Sequence, residues 1–455
     1  MKSKILKLSL IPTIVVPSVA IVTNCSIVEH LKIMPKQIDG SDWLGRISGY
    51  FVKDDDYEIN TEDKTVTYWN MYELKAHNLV VPNYVMWQGS KYKVVLDEKA
   101  FQDCTDTLSG SVELNDFCDV IPARCFQNDD KITKIIFHTY PKEIHEAAFQ
   151  ECSDLATICV KKNGKIYYDW AIKLVTVRAF AFDGCPIEGN LIFGSDFQTF
   201  EPSAFAGASI KKIDLSMCNK IEEIPEDAFN ACGLLKQVAF PSSIIRIGAR
   251  AFSGCSVLEK ITLPAQDMEF SKVGESAFSG CLLFRGFFYK VESVELRLTM
   301  KIVQEACFFN NKCLEPRSYL INNPFGSARE GTDSQLAKSL FEACSFTSWT
   351  FSIKKYIWLS PSVFAFNQDL RFLDFTSLEY NDNVPDSWKN NIGVGEVADV
   401  FAHGSKFGTI FVRKGFVTGS QHFDEWVEWF EKQGLHFDKT DYETPSLDHW
   451  NFQEQ

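Results

Sequence analysis

The sequence predicts a β-rich solenoid in which repeats of about 23 residues stack and pair their strands in a parallel sheet. Two recurrences along the 455-residue chain predict it: an Ala-Phe-x-x-Cys motif, and a strand-like apolar segment between successive copies of that motif. Because one such unit cannot bury its own apolar face, neighbouring repeats must stack to form a core. We therefore expect one elongated domain with two caps, although length alone favours several globular domains.

The Phe of the motif marks twelve positions, of which six carry the full motif and six are degenerate. Seven of the eleven steps between them are 23–26 residues long, and the four longer steps mark insertions. We expect these side chains to form an internal ladder in the stacked core. The twelve residues are Phe101, Phe126, Phe149, Phe182, Phe205, Phe229, Phe252, Phe278, Phe308, Phe341, Phe364 and Phe401.

Two further registers recur with the Phe position. An apolar residue lies five positions before every ladder Phe except the last, where Glu396 stands. Between motifs, an apolar segment such as Leu258, Ile261 and Leu263 ends in the alternation that is typical of a strand. Each repeat is thus predicted to contain a short strand, a turn, a second apolar stretch, and an Ala-Phe turn that starts a helical or 3₁₀ piece.

The stretch LKQVAFPSSIIRIGARAFSGC, residues 235–255, resembles the leucine-rich repeat of the BspA type, found in bacterial surface proteins and some parasitic protists. The preceding segment, residues 65–101, is similar to the β-rich stretch that often leads into such repeats. The resemblance covers roughly residues 60–415 and is strongest over 186–281. It implies a leucine-rich-repeat solenoid, and a surface protein engaged in adhesion or host interaction.

The N-terminus predicts export. A basic start, MKSKILK, precedes an uncharged stretch from Leu8 to Asn24, as in signal peptides. It ends in IVTNCS, which resembles the lipobox of bacterial lipoproteins, although Asn24 departs from the small residue usual there. The resemblance implies diacylglycerol on Cys25, and two acyl chains suffice for stable anchoring. Cleavage after Ala20 or an uncleaved anchor are the alternatives, and both also place the body outside the membrane.

The chain ends in a predicted cap. Gly408–Lys414 is interpreted as a final strand, and Phe423, Trp426, Val427 and Phe430 have the spacing of an amphipathic helix over 422–433. Gly434 is expected to stop that helix, and the tail beyond it is expected to be loose. The predicted domains are a signal peptide 1–24, a linker 25–40, a β-hairpin cap 41–95, the solenoid 96–404 and a C-terminal cap 405–455.

Three non-repetitive stretches interrupt the pattern, at 161–176, 309–335 and 378–396. Insertions in a solenoid form loops and often line a binding face, although tolerated surface loops are the more economical interpretation.

No catalytic, metal or cofactor site is predicted. The chain contains no CxxC, HExxH or Gly-x-Ser-x-Gly motif. His138 and His145 are interpreted as surface residues, and the glycine pattern at 393–398 as a repeat turn. The acidic stretches Asp54–Asp56 and Asp129–Asp130 are interpreted as solvated loops. Seven cysteines share the position three residues after a ladder Phe, where we expect buried thiols: Cys104, Cys152, Cys185, Cys232, Cys255, Cys281 and Cys344.

A net charge of −14 disfavours nucleic acid as a partner. The sequence thus predicts a non-enzymatic lipoprotein on the extracellular face of the cell membrane, whose solenoid binds a protein or glycan. A hydrolase with its site in 309–335 or 378–396, and a structural component of the bacterial surface, are the alternatives.

Overall fold

The structure, a computed structural model, describes most of the chain from Tyr57 onward. The predicted signal peptide, the linker, Cys25 and the acidic stretch Asp54–Asp56 lie outside the described residues. The described ranges are 57–68, 76–87, 89–105, 107–290, 298–314, 334–345, 347–350, 357–374, 376, 400–412, 423–438, 443, 446 and 448–455.

The N-terminal part consists of five strands. They are β1 (Tyr57–Asn60), β2 (Thr65–Tyr68), β3 (Ala76–Val80), β4 (Tyr84–Trp87) and β5 (Ser90–Leu96). Two antiparallel hairpins, β1 with β2 and β4 with β5, are joined by parallel pairing of β2 with β5. The predicted β-hairpin cap is therefore present. Strand β3 is not part of this sheet. It pairs in parallel with the first strand of the repeats and so connects the cap to the solenoid.

After this cap, the described residues form the remaining strands and two short helices. The helices are a 3₁₀ helix, Trp170–Lys173, and α1, Phe423–Lys432. The strands are β6 (Leu108–Glu113), β7 (Val120–Ile121), β8 (Ile132–Phe137), β9 (Glu143–Ile144), β10 (Thr157–Lys162), β11 (Lys165–Tyr167), β12 (Thr176–Val177), β13 (Gly189–Ile192), β14 (Thr199–Phe200), β15 (Ile210–Asp214), β16 (Glu223–Ile224), β17 (Gln237–Ala239), β18 (Arg246–Ile247), β19 (Lys260–Leu263), β20 (Met268–Phe270), β21 (Lys272–Val273), β22 (Phe287–Tyr289), β23 (Leu298–Met300), β24 (Ser334–Leu336), β25 (Ser348–Thr350), β26 (Ile357–Leu359), β27 (Phe372–Asp374), β28 (Gly408–Val412) and β29 (Trp450–Glu454).

These strands form two rows along the stack. The longer strands pair in parallel, in the orders β10-β8-β6-β3, β13-β15-β17-β19-β22 and β25-β27-β28-β29. The short strands that carry the residue five positions before the ladder Phe pair in parallel in a second row, β14-β12-β9-β7, β16-β18-β21 and β24-β26. Both predicted registers therefore become sheets, and the predicted fold class, a leucine-rich-repeat solenoid, is confirmed.

The twelve ladder Phe residues form one continuous stack. Successive ring centroids are 5.2–5.7 Å apart, and the ring planes differ by at most 21°. Every ring is buried, with at most 2% of its residue exposed. The four longer steps in the sequence leave this contact unchanged, so the ring stack is the same on both sides of each longer step.

The Ala-Phe turns differ from the prediction, because none of those described forms a helical or 3₁₀ piece. Positive φ angles recur two residues before and two residues after the ladder Phe, as at Arg250 (52°) and Gly254 (72°) around Phe252. This alternation directs the amides of these three residues toward the next repeat, where they donate to carbonyl oxygens at 2.7–2.9 Å. Backbone pairing between repeats thus replaces the pairing within a helix.

The predicted cysteine column is buried, and its thiols have a common role. Six of the seven donate from Sγ to the carbonyl oxygen of a ladder Phe in the preceding repeat, at 2.7–3.3 Å. Asn367 occupies the same position in its repeat and donates to the Phe341 carbonyl at 2.7 Å. The carbonyl oxygen of the ladder Phe is buried and takes no part in the backbone pairing between repeats. The residue three positions after the next ladder Phe must therefore be small and able to donate a hydrogen bond to it.

Asp129 corrects a prediction. The sequence placed it in a solvated loop, yet its side chain is fully buried at the cysteine position of its repeat. Its Oδ1 accepts from the Cys104 amide at 2.7 Å, and Oδ2 has no hydrogen-bond partner among the described residues. Burial raises its pKa to about 9, and the neighbouring Asp103 and Asp130 add to the shift. Asp129 is therefore neutral at pH 7.

The predicted helical cap is present. Of the tail that was expected to be loose, Trp450–Glu454 form a strand, and 439–442, 444–445 and 447 lie outside the described residues. Helix α1 ends before Gly434, whose φ of 96° is readily adopted by glycine and which lies against the backbone of Ala402. The tail returns as β29 and pairs in parallel with β28, which buries Trp450 and Phe452. No helix among the described residues is long and apolar enough to cross a membrane.

The burial of the thiols predicts their reactivity. All thirteen described cysteines are thiols rather than disulfides; twelve are buried and Cys313 is exposed. Burial raises the pKa of Cys232 and Cys255 well above the ordinary value, so little reactive thiolate forms there. In a Cys25→Ser variant, we expect an aromatic disulfide reagent to label one thiol quickly and the other twelve only after denaturation. A Cys25→Ser/Cys313→Ser control should lose the fast reaction, and fast labelling of several thiols in the native protein would contradict the assignment.

Candidate binding site at the 161–176 insertion

The insertion at 161–176 is described throughout and forms a hairpin on the edge of the long-strand sheet. Strand β10 runs to Lys162, turns through Asn163 and Gly164, and returns antiparallel as β11. Both turn residues have positive φ, 50° and 74°, as a two-residue type I′ hairpin turn requires. The Asn-Gly pair is the sequence signal for this hairpin. The repeat pattern does not reveal it, because the pair lies in a stretch that departs from the repeat.

The rest of the insertion is anchored in the core. The 3₁₀ helix that follows β11 buries Trp170 and Ala171, and Leu174 is buried directly after it. The Trp170 ring meets the ladder Phe182 edge-on, with 5.5 Å between centroids. The insertion is therefore a fixed part of the solenoid surface.

A charged cluster lies beside the hairpin on the outer face of the sheet. Glu113 Oε1 is 2.6 Å from His138 Nε2 and 2.8 Å from Lys161 Nζ, and Asp116 Oδ1 is 3.6 Å from His138 Nδ1. The hydrogen bond from His138 is the largest cause that lowers the pKa of Glu113 to about 2, and Lys161 adds to it against the opposing effect of burial. Glu113 thus remains ionised while it holds two basic side chains.

An open pocket of about 560 Å³ adjoins this cluster. Stacking builds it, because equivalent loops of successive repeats come together there although they are distant in sequence. Four lysines and two aspartates contribute its charges, so the lining is positive in an acidic chain. They are Asp116, Lys142, Lys162, Lys173, Asp196 and Lys220.

One tyrosine lines the pocket, and two others lie on the adjacent hairpin. Tyr140 lines it and donates from its hydroxyl to Asp169 at 3.1 Å. Burial first, and then Asp169, raise the pKa of Tyr140. On the hairpin, Tyr167 and Tyr168 are 39% and 65% exposed. Cationic groups, carboxylate acceptors and aromatic rings therefore lie together, a combination that suits binding of a polar ligand.

A second open pocket, of about 460 Å³, lies where the 309–335 insertion begins and is lined by Phe309, Lys312 and Glu342 among others. His145 pairs with Glu143 of its own repeat at 3.2 Å, and His138 belongs to the cluster above. No group of three metal-ligating side chains occurs among the described residues. Most of the insertion 309–335, all of 378–396, the glycine pattern at 393–398 and Cys25 lie outside them. The sequence indicated the insertion 161–176, but not that Asp116, Asp196 and Lys220 would lie beside it.

Comparison with protein families agrees with this architecture. Residues 90–173 and 167–285 match the family described as BspA type Leucine rich repeat region, in six copies. The repeats in this part of the chain are therefore similar to BspA-type leucine-rich repeats. The matched residues contain the first eight ladder positions and the whole insertion 161–176, so the candidate pocket lies within the matched part of the chain. No curated protein matches the chain.

Solved structures of leucine-rich-repeat proteins resemble the chain at low identity. A leucine-rich repeat protein from Bacteroides ovatus is 16% identical, with a TM-score of 0.44, over 89% of this chain and 100% of that one. A leucine rich cell surface protein from Faecalibacterium prausnitzii is 16% identical, with a TM-score of 0.39, over 85% and 98%. The Treponema pallidum leucine-rich-repeat protein is 15% identical, with a TM-score of 0.29, over 61% and 100%.

Proposed function

We propose that this protein is an exported lipoprotein, anchored through Cys25 on the extracellular face of the cell membrane, whose BspA-type repeats bind a protein or glycan ligand in adhesion. The role is one of binding rather than catalysis. The lipobox-like residues 21–26 support the anchor. A twelve-ring core that continues past each insertion supports a rigid scaffold.

The observation that carries the binding role is the pocket beside the 161–176 insertion. Most of the other described residues belong to a repeated unit that serves stacking. Here the chain departs from the repeat to add a hairpin and a buried Trp170 anchor, and the result is a concave surface with converging polar groups. Such departures on a rigid scaffold are where repeat proteins place recognition.

The anchor has a direct test. In a bacterium that processes lipoproteins, we expect the full chain to incorporate labelled palmitate and to partition into detergent, and Cys25→Ser to abolish both. The physical reason is that Cys25 carries the acyl chains, whereas the described part of the chain has no helix able to span a membrane. Protease added to intact cells should degrade the anchored protein.

Cys313→Ser is the matched control, since Cys313 is the exposed thiol among the described residues and its loss should leave the label unchanged. Retention of the label in Cys25→Ser, or protection of the protein on intact cells, would reject the anchoring and the surface location respectively. Capture of self-membrane components rather than host-cell components would favour the structural role over adhesion.

A further inference from the structure

The pocket beside the insertion concentrates positive charge that the protein itself leaves uncompensated. Lys142 is neutralised by Asp119 at 2.9 Å. Lys162, Lys173 and Lys220 are exposed and form no ion pair with any described residue. In a chain with a net charge of −14, three such ammonium groups around one concavity attract an anionic ligand more strongly than the surrounding surface does.

The same pocket holds acceptors and an aromatic ring. Asp116 and Asp196 contribute carboxylates, Gln198 an amide, and Tyr140 a ring. Carboxylates repel a ligand that offers only negative charge, but they accept hydrogen bonds from hydroxyl groups. The lining is therefore matched to a ligand that is both anionic and rich in hydroxyl donors.

The volume and the walls restrict the ligand further. About 560 Å³ lies within the range of roughly 300–1,000 Å³ that is usual for ligand pockets. Most of the lining side chains end in a charged or hydrogen-bonding group, so the ligand must offer polar groups to match them. The open shape fits one or two residues of a longer chain that continues outside.

We propose that this pocket binds an acidic saccharide, in which Lys162, Lys173 and Lys220 hold the carboxylate or sulfate groups and Asp196 accepts hydrogen bonds from ring hydroxyls. The inference deepens the proposed binding function and rests on it. An acidic peptide would satisfy the lysines, but it would bring its carboxylates against Asp116 and Asp196 without hydroxyl donors to offset the repulsion.

The test uses the full chain in mild detergent and four immobilised probes: an oligogalacturonate, a heparin-derived oligosaccharide, maltohexaose and hexaglutamate. We expect one or both acidic saccharides to bind, more weakly at higher salt, and the other two probes not to bind. The response to the first two probes distinguishes a carboxylate from a sulfate as the recognised group. The variant Lys162→Ala/Lys173→Ala/Lys220→Ala should weaken binding about tenfold or more.

The matched control is Lys236→Ala/Lys272→Ala/Lys290→Ala, which removes the same charge from exposed lysines outside the pocket lining. It should bind like the unmodified chain, and melting curves should show that both triple variants fold. Asp196→Ala separates the two classes of ligand. Loss of a hydroxyl acceptor weakens saccharide binding several-fold, whereas a purely electrostatic site would bind more strongly once a negative charge is removed.

The proposal is overturned if neither acidic saccharide binds, if maltohexaose or hexaglutamate binds as well as they do, or if the two triple variants lose affinity equally. Strengthened binding by Asp196→Ala also overturns it. Export and acylation are measured separately, with the Cys25→Ser variant. Failure of saccharide binding therefore does not contradict the proposed lipid anchor, and failure of acylation does not affect the test of this pocket.

Discussion

Replacing Phe229 by alanine is expected to lower the free energy of unfolding by about 3–5 kcal/mol. The ring is fully buried, lies 5.7 Å from that of Phe205 and 5.6 Å from that of Phe252, and meets Phe200 edge-on at 5.5 Å. Backbone bonds between repeats, such as Phe229 N to Ala251 O at 2.9 Å, keep the neighbouring coils apart, so the cavity cannot collapse. Urea denaturation followed by circular dichroism measures the change.

Phe180→Ala is the matched control, because the same side chain is removed from a position that is 40% exposed. Its effect should stay within about 0.5 kcal/mol. If Phe229→Ala unfolds no more easily than Phe180→Ala, the ladder does not carry the core. Since each repeat contacts only its neighbours, a cavity in the middle of the stack should also broaden the transition.

The second large effect is a pH dependence that comes from Asp129. Its pKa is about 9 in the folded protein and ordinary in the unfolded chain, so the folded state binds the extra proton between these values. The resulting stabilisation is complete below the unfolded pKa and is lost as the pH rises toward 9. Relative to Asp129→Asn, the unmodified protein should lose about 1.4 kcal/mol of unfolding free energy per pH unit between about pH 5 and 8.

The comparison is made by urea denaturation at several pH values. Asp129→Cys, which restores the residue usual at this position, should behave like Asp129→Asn, since Asn367 shows that an amide also fits there. Asp154→Asn removes an exposed carboxylate and should leave the pH profile unchanged. Identical profiles for the unmodified protein and Asp129→Asn would refute the assignment of a neutral buried carboxyl.

The ladder and the two strand registers were predictable because they are properties of one repeat. Every coil of the solenoid places one buried Phe and one strand at the same positions. The same packing requirement therefore recurs in the sequence once in each repeat. For the same reason the insertion at 161–176 could be located from the sequence: its extra residues leave the spacing of the neighbouring rings at 5.2 Å.

The turns, the tail and the neutral state of Asp129 were not predictable from the repeat alone. Residues such as Arg250 adopt positive φ because the adjacent coil supplies carbonyl acceptors, and a helix would have been the local preference. The tail becomes β29 because β28 leaves an edge to be paired. Asp129 looks like a surface acid until the period places it in the cysteine column.

The pocket also depends partly on features that the sequence predicts and partly on features that only the tertiary structure shows. The sequence by itself determined the period, the core residues and the place where the chain departs from the repeat. Only the tertiary structure brought Asp116, Lys162 and Lys220 around one concavity. Stacking converts a separation of one repeat along the chain into contact between neighbouring coils. The repeat pattern does not constrain the exposed positions, so it does not predict which charged side chains come together there.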